Sequence, residues 1–438
     1  MPNRTTKTDI ASDKTLDATL AALLQGYDFI RKRCERLGSD AFTTRAMLHK
    51  VTCAMGEDAA RMFYAPGKFT RVGAMPVMTL MLLQDFDSVQ MLDGAALRHR
   101  KDMFLALATP QQIARLEEIA RQEWRARIAE WQGRGRIVLF DETCEVLTRI
   151  ACAWAAVPLS VDEARARTRE FAAMIEGSGT LGPRAWWGLF LRRRTERWAR
   201  DVIHRVRTGE IETRADSPVR IIAFHRELNG EPISLNAAAV ELLNVLRASV
   251  AVARYVVYGA LMLHEKPELR ERLGAGDRAY AEAFTQEVRR LCPFFAYIGG
   301  RVREPFDWRG KHFAKGDWVV LDLYATNLDL RSHRSPTSFD PDRFLKREVC
   351  PFTFVPQGGG DVRTGHRCPG EDVTVALARV ALEVLAREAA YDVPDQDLSI
   401  KLSRIPARPR SRFIIENVRP ARPARTQAAS RDVAAEAK

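Results

Sequence analysis

The sequence lacks the paired cysteines that hold together small disulfide-rich domains and structural zinc sites. Its seven cysteines are scattered among 438 residues, without a CxxC pair. They stand at Cys34, Cys53, Cys144, Cys152, Cys292, Cys350 and Cys368. This distribution excludes a zinc cluster and a disulfide scaffold as the basis of the fold. An odd number of scattered thiols is typical of a reducing compartment, so we expect a cytoplasmic protein.

Long apolar runs are missing as well. Residues 1–14 are polar and lack the apolar stretch of a signal peptide, and the longest apolar stretches elsewhere are interrupted by Arg, Glu or Asn. Because a membrane-spanning helix needs about 20 mostly apolar residues, we predict that no segment spans a membrane.

Charge of one sign is not concentrated in a single block. Lysines and arginines outnumber aspartates and glutamates by 68 to 56, a formal net charge of +12, but basic residues are interleaved with acidic ones along the chain. A solvated basic surface explains this pattern better than a nucleic-acid-binding surface, so we expect no nucleic-acid partner. Such a surface also attracts anionic substrates.

Most of the chain has the apolar spacing of amphipathic or buried helices. This spacing predicts helices over residues 16–37, 110–132, 141–156, 160–175, 193–207, 234–263 and 371–387. Strand-like runs are short, at residues 136–140 and 318–323. No internal repeat and no Ser/Gly linker divides the chain. We predict a mainly α fold with a small β part, as one domain over residues 1–418, followed by a disordered tail at residues 419–438.

One cysteine differs from the others because a glycine-rich loop precedes it and a predicted helix follows it. The loop contains Pro356-Gln-Gly-Gly-Gly360 and Gly365, and Cys368 is followed by Pro369 at the start of the helix. Backbone N–H groups of such a loop and the positive end of a helix stabilise a thiolate. Taken alone, the motif leaves a metal-bound thiolate and a loop cysteine without a role equally open.

Two further motifs precede this loop. Glu287 and Arg290 share one helical face because they are three residues apart, and the loop Phe339-Asp-Pro-Asp-Arg343 can supply either a second arginine or a carbonyl oxygen to that pair. In this order, with the cysteine loop last, the motifs resemble those of the cytochrome P-450 superfamily. The resemblance implies the P-450 fold, haem b as the cofactor and Cys368 as the axial ligand of its iron. It also implies structural roles for Glu287, Arg290 and Arg343.

The helix predicted at residues 234–263 lacks the acid–threonine pair that P-450 monooxygenases carry over the haem. Between Asn244 and Tyr258 there is neither an acid nor a threonine, whereas Arg247 stands among apolar residues. A buried guanidinium requires a partner. That partner is either a carboxylate of the protein, such as Glu241, or the carboxylate of a substrate bound by two parallel hydrogen bonds. In the second case the substrate carboxylate replaces the missing acid and alcohol in proton transfer.

Additional motifs over residues 15–419 resemble the bacterial fatty-acid peroxygenase branch of that superfamily. They include Gly182-Pro-Arg184, Glu241-Leu-Leu-Asn-Val-Leu-Arg247 and Tyr391-Asp-Val-Pro-Asp395. Asp361 stands where most P-450s have a phenylalanine seven residues before the cysteine. The resemblance implies an oxidoreductase that uses hydrogen peroxide directly, without a redox partner. It hydroxylates long-chain fatty acids at the α or β carbon, and some members of the branch decarboxylate them to terminal alkenes.

The resemblance assigns individual residues. Arg247 and Gln90 are the catalytic and substrate-binding residues, and Gln90 favours hydroxylation because members that decarboxylate well often have histidine there. The haem contacts besides Cys368 are Arg71, Lys101, His99 and Arg367.

Three positions depart from the pattern of the branch, with Ala248 in place of a proline, Met91 in place of a glycine and Leu97 in place of a histidine. Without the proline, the helix around Arg247 is expected to continue uninterrupted. Arg254, one heptad beyond Arg247, is a second candidate anion site. Two other hypotheses stay open. The basic surface fits a monooxygenase supplied by an acidic redox partner, and the departures fit a haem- or lipid-binding protein with little turnover.

Overall fold

A computed structural model describes residues 9–180, 182–345 and 348–421. Within these ranges the chain forms sixteen α-helices. They are α1 (Thr19–Gln25), α2 (Phe29–Leu37), α3 (Glu57–Phe63), α4 (Val77–Leu83), α5 (Gly94–Ala106), α6 (Pro110–Trp131), α7 (Leu139–Ala155), α8 (Val161–Gly177), α9 (Pro183–Thr208), α10 (Pro218–Ala223), α11 (Leu235–Ala251), α12 (Ala253–Glu265), α13 (Pro267–Gly274), α14 (Arg278–Leu291), α15 (Leu323–Asn327) and α16 (Glu371–Arg387). Short 3-10 turns lie at Gly26–Asp28, Val89–Met91 and Pro341–Phe344.

The strands within the described ranges are short and form three small sheets. They are β1 (Ala11–Ser12), β2 (Ala41–Ala46), β3 (His49–Ala54), β4 (Phe69–Thr70), β5 (Ile137–Val138), β6 (Tyr297–Val302), β7 (Phe306–Trp308), β8 (Lys311–Phe313), β9 (Trp318–Asp322), β10 (Ala389–Asp392) and β11 (Ile414–Pro420). The largest sheet has the order β1-β2-β3-β9-β6-β4, with β3 parallel to β9 and Val51 opposite Trp318. The others pair β10-β11-β5 and β7-β8.

The main core lies among the helices, with α11 at its centre. This helix packs against α7, α8, α9 and α16. Leu242, Leu246 and Val250 are fully buried, as expected for a helix that is apolar nearly all round. Because the helix is enclosed, its few polar side chains also lie inside the protein, and they form part of the site described below.

The mainly helical architecture agrees with the sequence prediction, and α6, α7, α8 and α16 lie where the apolar spacing placed them. Residues 16–37 form two helices instead of one, because Gly26 has a φ of 54° and packs directly on the backbone of Leu402 and Ser403. The strand predicted at residues 136–140 was too long. Only Ile137–Val138 is paired, and α7 begins at Leu139.

The long helix predicted at residues 234–263 consists of α11 and α12, which are separated at Val252. As expected, α11 continues without a break through Ala248. In the described part of the chain, Leu235–Glu265 is the one helical stretch with the length and composition of a membrane span, and 83% of its most apolar window is buried inside the protein. It is therefore a core helix.

The last described strand crosses the predicted boundary between domain and tail. Arg419 pairs with Ala390, and Pro420 pairs with Ala389, so the first two residues assigned to the tail belong to the sheet. Residues 422–438, which make up the rest of the predicted tail, lie outside the described residues.

Candidate active site

Cys368 lies at the end of the glycine-rich loop, just before α16. Its N–H donates to the carbonyl oxygen of Gln357 at 3.1 Å, and the Gln357 side-chain nitrogen lies 3.8 Å from the cysteine sulfur. Gly358 has a φ of 96°, and a side chain at Gly359 would meet the carbonyl oxygen of Pro351 at 2.6 Å. The loop can fold this tightly only with glycine at these positions.

The surroundings of the Cys368 sulfur do not by themselves ionise it. Burial raises the pKa of the thiol, and this effect exceeds the opposing effects of the Gly370 N–H, Lys101 and Arg289, while Glu371 adds to it. Arg289 and Arg367 both form ion pairs with Glu371, each at 2.6 Å. A bound metal ion deprotonates a thiol of this kind outright, so the sulfur fits the role of a metal ligand.

Two cations of the predicted haem site, Arg71 and Lys101, are buried without a carboxylate partner among the described residues. Lys101 donates to the carbonyl oxygens of Gly365 and Arg367 at 2.5 and 2.6 Å, and burial lowers its pKa to about 8. Arg71 donates to the carbonyl oxygen of Gly299 at 2.5 Å, and burial lowers its pKa. Buried cations normally have a counter-charge. A sulfur ligand together with two such cations fits haem b, which carries two carboxylates.

Arg247 is buried in α11, and its guanidinium meets no carboxylate within ion-pair distance in the described parts of the chain. One nitrogen donates to Oδ1 of Asn244 at 3.0 Å, and another to the carbonyl oxygen of Leu82 at 3.4 Å. The same carbonyl oxygen accepts a hydrogen bond of 2.9 Å from Arg192 of α9. Burial lowers the pKa of Arg247 to about 9, and the neighbouring Arg192 contributes to this. Arg247 therefore contributes to the site a buried positive charge that forms no ion pair with a carboxylate of the described residues.

Glu241, the protein carboxylate that the sequence offered as a partner for Arg247, is bound elsewhere. Its oxygens accept hydrogen bonds from Arg100 at 2.9 Å, from the N–H of Val89 at 2.7 Å and from Asn244 at 2.8 Å. Burial raises the pKa of Glu241 despite the charge of Arg100. Arg100 is thus the counter-ion of Glu241, and Asn244 separates Glu241 from Arg247.

Gln90 lies in the 3-10 turn Val89–Met91, next to the N–H that binds Glu241. Its Oε1 is buried and has no hydrogen-bond partner among the described residues. A buried oxygen without a partner is unfavourable, which is typical of a side chain that meets a ligand. The structure therefore connects the turn of Gln90 to Arg247 through Glu241 and Asn244.

The remaining predicted residues divide into two groups. Arg290 binds both oxygens of Glu287 at 2.7 and 2.8 Å, and Arg343 binds Glu287 at 3.1 Å, so the structure brings the three structural residues together. In contrast, His99 contacts the carbonyl oxygen of Arg226 at 2.6 Å and the ring of His225. The guanidinium of Arg367 binds Glu371, as described above. For His99 and Arg367, contact with haem stays a prediction.

Arg254 is not a free anion site, contrary to the expectation from its spacing. It forms an ion pair of 2.5 Å with Glu176, which also binds Arg404. Glu176 stands at the end of α8, far from Arg254 in the sequence, so spacing along one helix could not reveal it. Sequence reasoning also missed Asn244 as a link between Glu241 and Arg247, although the spacing of three residues between each pair was a usable signal.

Known proteins resemble parts of this chain. The cytochrome P-450 family model matches residues 275–388. Cytochrome P-450 3A17 of Cavia porcellus is 26% identical over 156 residues, 35% of this chain and 28% of that relative. Cytochrome P-450 716A75 of Maesa lanceolata is 28% identical over 122 residues, 27% of this chain and 24% of that relative. The chain matches 37% or less of the length of such curated relatives.

Solved structures match almost the whole chain. Cytochrome P-450SP alpha (CYP152B1) in complex with (R)-ibuprophen is 43% identical, with a TM-score of 0.89 over 92% of this chain and 99% of that one. Cytochrome P-450EX alpha (CYP152N1) with myristic acid is 38% identical, with a TM-score of 0.90 over 94% and 99%. A variant of cytochrome P-450 OleT in complex with arachidonic acid is 30% identical, with a TM-score of 0.92 over 95% and 99%.

The chain belongs to the cytochrome P-450 family. The similarity to the CYP152 structures confirms the predicted membership of the fatty-acid peroxygenase branch and the predicted P-450 fold. It also confirms that this P-450 is an oxidoreductase with haem b as its cofactor.

Proposed function

We propose that this P-450 is a peroxygenase that hydroxylates long-chain fatty acids at the α or β carbon, with hydrogen peroxide as the oxidant and Arg247 as the carboxylate-binding residue. The observation that carries this proposal is the buried guanidinium of Arg247, which has no protein carboxylate partner in the described ranges, in a helix without the acid–threonine pair. The fatty acids bound to the structures of cytochrome P-450EX alpha and OleT support it.

In the proposed reaction, Arg247 binds both oxygens of the fatty-acid carboxylate, and this fixes the α and β carbons at a constant distance from the guanidinium. Cys368 would hold the haem iron, and Arg71 and Lys101 would serve as partners of the haem carboxylates; the bound haem would supply the activation of hydrogen peroxide. The bound carboxylate accepts and returns the proton, in place of the missing acid and threonine. Arg247 stays charged at neutral pH, since its pKa of about 9 lies above it. A C–H bond and hydrogen peroxide become an alcohol and water.

Gln90 supplies the second polar group of the proposed substrate site. Its unpartnered Oε1 accepts a hydrogen bond, but the neutral amide cannot act as an acid at the pH of a cell, unlike a histidine. We therefore expect hydroxy acids in excess over terminal alkenes.

The proposal also covers the location of the enzyme, its independence of a redox partner and its domain organisation. The enzyme acts in the cytoplasm without a redox partner, and the chain forms one haem domain, which extends past the predicted end at residue 418 to include the paired residues Arg419 and Pro420. No reductase is needed, since hydrogen peroxide already contains the two electrons that a reductase would otherwise add to dioxygen.

The test is incubation of the purified, haem-loaded protein with myristic acid and hydrogen peroxide, without a reductase, followed by mass spectrometry. We expect hydroxymyristic acids from the wild type and about a hundredfold less from Arg247→Ala, because the substrate anion loses its charge partner. The control, Arg115→Ala, removes an exposed arginine of α6 and leaves the yield unchanged.

Other outcomes would replace the proposal. Products that need a reductase and NAD(P)H would indicate a monooxygenase, and terminal alkenes as the main product would indicate a decarboxylase. Bound haem and bound fatty acid without turnover under either condition would indicate a binding protein.

A further inference from the structure

The first half of α9 presents aromatic and basic side chains to solvent. Trp186, Trp187 and Phe190 are 63%, 58% and 61% exposed. The rings of Trp187 and Phe190 stack on each other with centroids 5.4 Å apart. We call these three residues the aromatic ridge. The other exposed residues of α9 up to position 197 are Pro183, Arg184, Arg193, Arg194 and Arg197, so this stretch exposes no acid.

A second exposed apolar surface lies on α1 and the turn between β2 and β3. Its members are large aliphatic side chains that stand in solvent, and Leu16 and Leu48 are 92% and 82% exposed. We call this set the leucine patch, and it consists of Leu16, Leu20, Leu23, Leu24, Met47 and Leu48.

Hydrogen bonds hold the two halves of the leucine patch together. The N–H of Leu48 donates to Asp17 at 2.7 Å, the N–H of Met47 donates to Thr19 at 2.5 Å, and the N–H of Ala18 donates to the carbonyl oxygen of Arg45 at 2.7 Å. The apolar side chains are therefore held outward by an ordered backbone. These hydrogen bonds fix the backbone that keeps the side chains exposed.

The chain segments next to the two surfaces contact the same loop, residues 402–405. After α1, the N–H of Tyr27 donates to the carbonyl oxygen of Leu402 at 3.0 Å. Before α9, Gly179 packs against the carbonyl group of Ile405. The segment that follows the leucine patch and the segment that precedes the aromatic ridge therefore both contact one short stretch of backbone.

We infer that this combined surface binds the face of an anionic lipid bilayer, as a peripheral contact without a membrane span. Soluble monomers rarely expose so many large apolar side chains close together. Tryptophan and phenylalanine settle at the level of lipid headgroups, and arginines beside them attract anionic phosphates. The side chains protrude from a helix face and a turn, a shape that inserts between headgroups. The net charge of +12 favours the same partner. The inference does not depend on the proposed reaction.

The experiment is flotation of the full-length, haem-loaded protein with vesicles of phosphatidylglycerol and phosphatidylcholine in equal parts, and with phosphatidylcholine alone. We expect binding to the anionic vesicles, and about tenfold weaker binding to the neutral ones and at high salt. The triple variants Trp186→Ser/Trp187→Ser/Phe190→Ser and Leu20→Ser/Leu24→Ser/Leu48→Ser should each weaken the binding about tenfold or more.

A matched control tests whether vesicle binding depends on this surface or on exposed apolar side chains in general. Leu330 and Val161 are 64% and 56% exposed on other parts of the molecule, and Leu330→Ser/Val161→Ser should bind like the wild type. Because all these residues are exposed, circular dichroism and the haem spectrum should stay unchanged in every variant.

Three results would overturn the inference. They are a wild type that does not float with anionic vesicles, a triple variant that floats like the wild type, and a control variant that loses binding. If sedimentation velocity shows that the wild type is a dimer and the triple variants are monomers, and the wild type does not bind vesicles, the surface joins two copies of the chain instead.

Discussion

The side chain of Asn244 joins Arg247 to Glu241, since it accepts a hydrogen bond from Arg247 at 3.0 Å and donates one to Glu241 at 2.8 Å. Glu241 is in turn fixed by Arg100 and by the turn that carries Gln90. An amide is suited to this position because it separates a buried cation from a buried anion and bonds to both. Asn244 therefore fixes the position of the Arg247 guanidinium, which in the proposed reaction binds the substrate carboxylate.

Replacement of Asn244 by alanine should loosen Arg247 without removing its charge. We expect KM for myristic acid to rise about tenfold, because a hydrogen bond to a charged group contributes about 1.5–3 kcal/mol. The α to β product ratio should change as well, since the carboxylate is no longer held in one position. Steady-state kinetics and product analysis measure both effects. The control is Asn236→Ala, an exposed asparagine on the same helix, and equal changes in both variants would contradict a positioning role for Asn244.

Replacement of Arg247 and of Arg254 by leucine should have opposite effects on the thermal stability of the protein. Arg254→Leu removes one of the arginines that bind Glu176, and because Arg404 remains, the cost should stay below the roughly 3–5 kcal/mol of an uncompensated buried charge while still lowering the Tm of this variant. Arg247→Leu removes a buried cation that has no carboxylate in the described structure, so its Tm should stay equal or rise while fatty-acid binding is lost. Thermal unfolding and fatty-acid titration of both variants make the comparison. A large fall in Tm for Arg247→Leu would show that the protein itself provides its anion.

Lys101 should control how firmly haem is retained. Its ammonium group binds two carbonyl oxygens of the cysteine loop, and its side chain is almost completely buried. Lys101→Met keeps the apolar stem but removes these bonds and a charge for a haem carboxylate, so haem transfer to apomyoglobin should accelerate about tenfold. Lys50→Met, an exposed lysine of β3, is the control. Equal transfer rates for the two variants would remove Lys101 from the haem site.

Asp322 should make stability depend on pH. It caps α15 by accepting the N–H of Ala325 at 2.7 Å, and burial raises its pKa from 3.8 to about 7. The folded protein thus holds a proton that the unfolded chain releases between these pH values. The contribution of this proton to the free energy of unfolding is fully present below about pH 4 and is lost as the pH rises through 7. Asp322→Asn keeps the cap without the charge.

The stability difference between Asp322→Asn and the wild type should therefore grow from pH 4 to pH 8, by on the order of 1–3 kcal/mol. Urea unfolding at several pH values measures it. The difference between the wild type and Asp395→Asn, an exposed position, should stay constant. A pH-independent difference for Asp322→Asn would mean that this carboxyl group is ionised throughout.

What the sequence predicted well was local in the chain. The helix after Cys368 was predicted at residues 371–387 and found as Glu371–Arg387, because its apolar spacing and its preceding proline and glycine act within a few residues. The pairing of Glu287 with Arg290 follows from helical spacing in the same way.

What the sequence did not reveal depends on distant partners. Gly26 divides the first predicted helix because it packs on residues near position 402, and Arg254 is neutralised by Glu176 of another helix. No pattern within one element encodes such contacts. Asn244 is an intermediate case. Its spacing of three residues from Glu241 and from Arg247 was visible in the sequence, but the sequence did not show that Arg100 pairs with Glu241, which leaves Asn244 as the link to Arg247.

The carbonyl oxygen of Leu82 accepts hydrogen bonds from Arg192 of α9 at 2.9 Å and from Arg247 of α11 at 3.4 Å. One atom at the end of α4 thus joins the helix with the exposed tryptophans to the helix with the proposed substrate anchor, Arg247. A substitution that shifts Leu82 would therefore alter the hydrogen bonding of an outer helix and of the buried guanidinium at the same time.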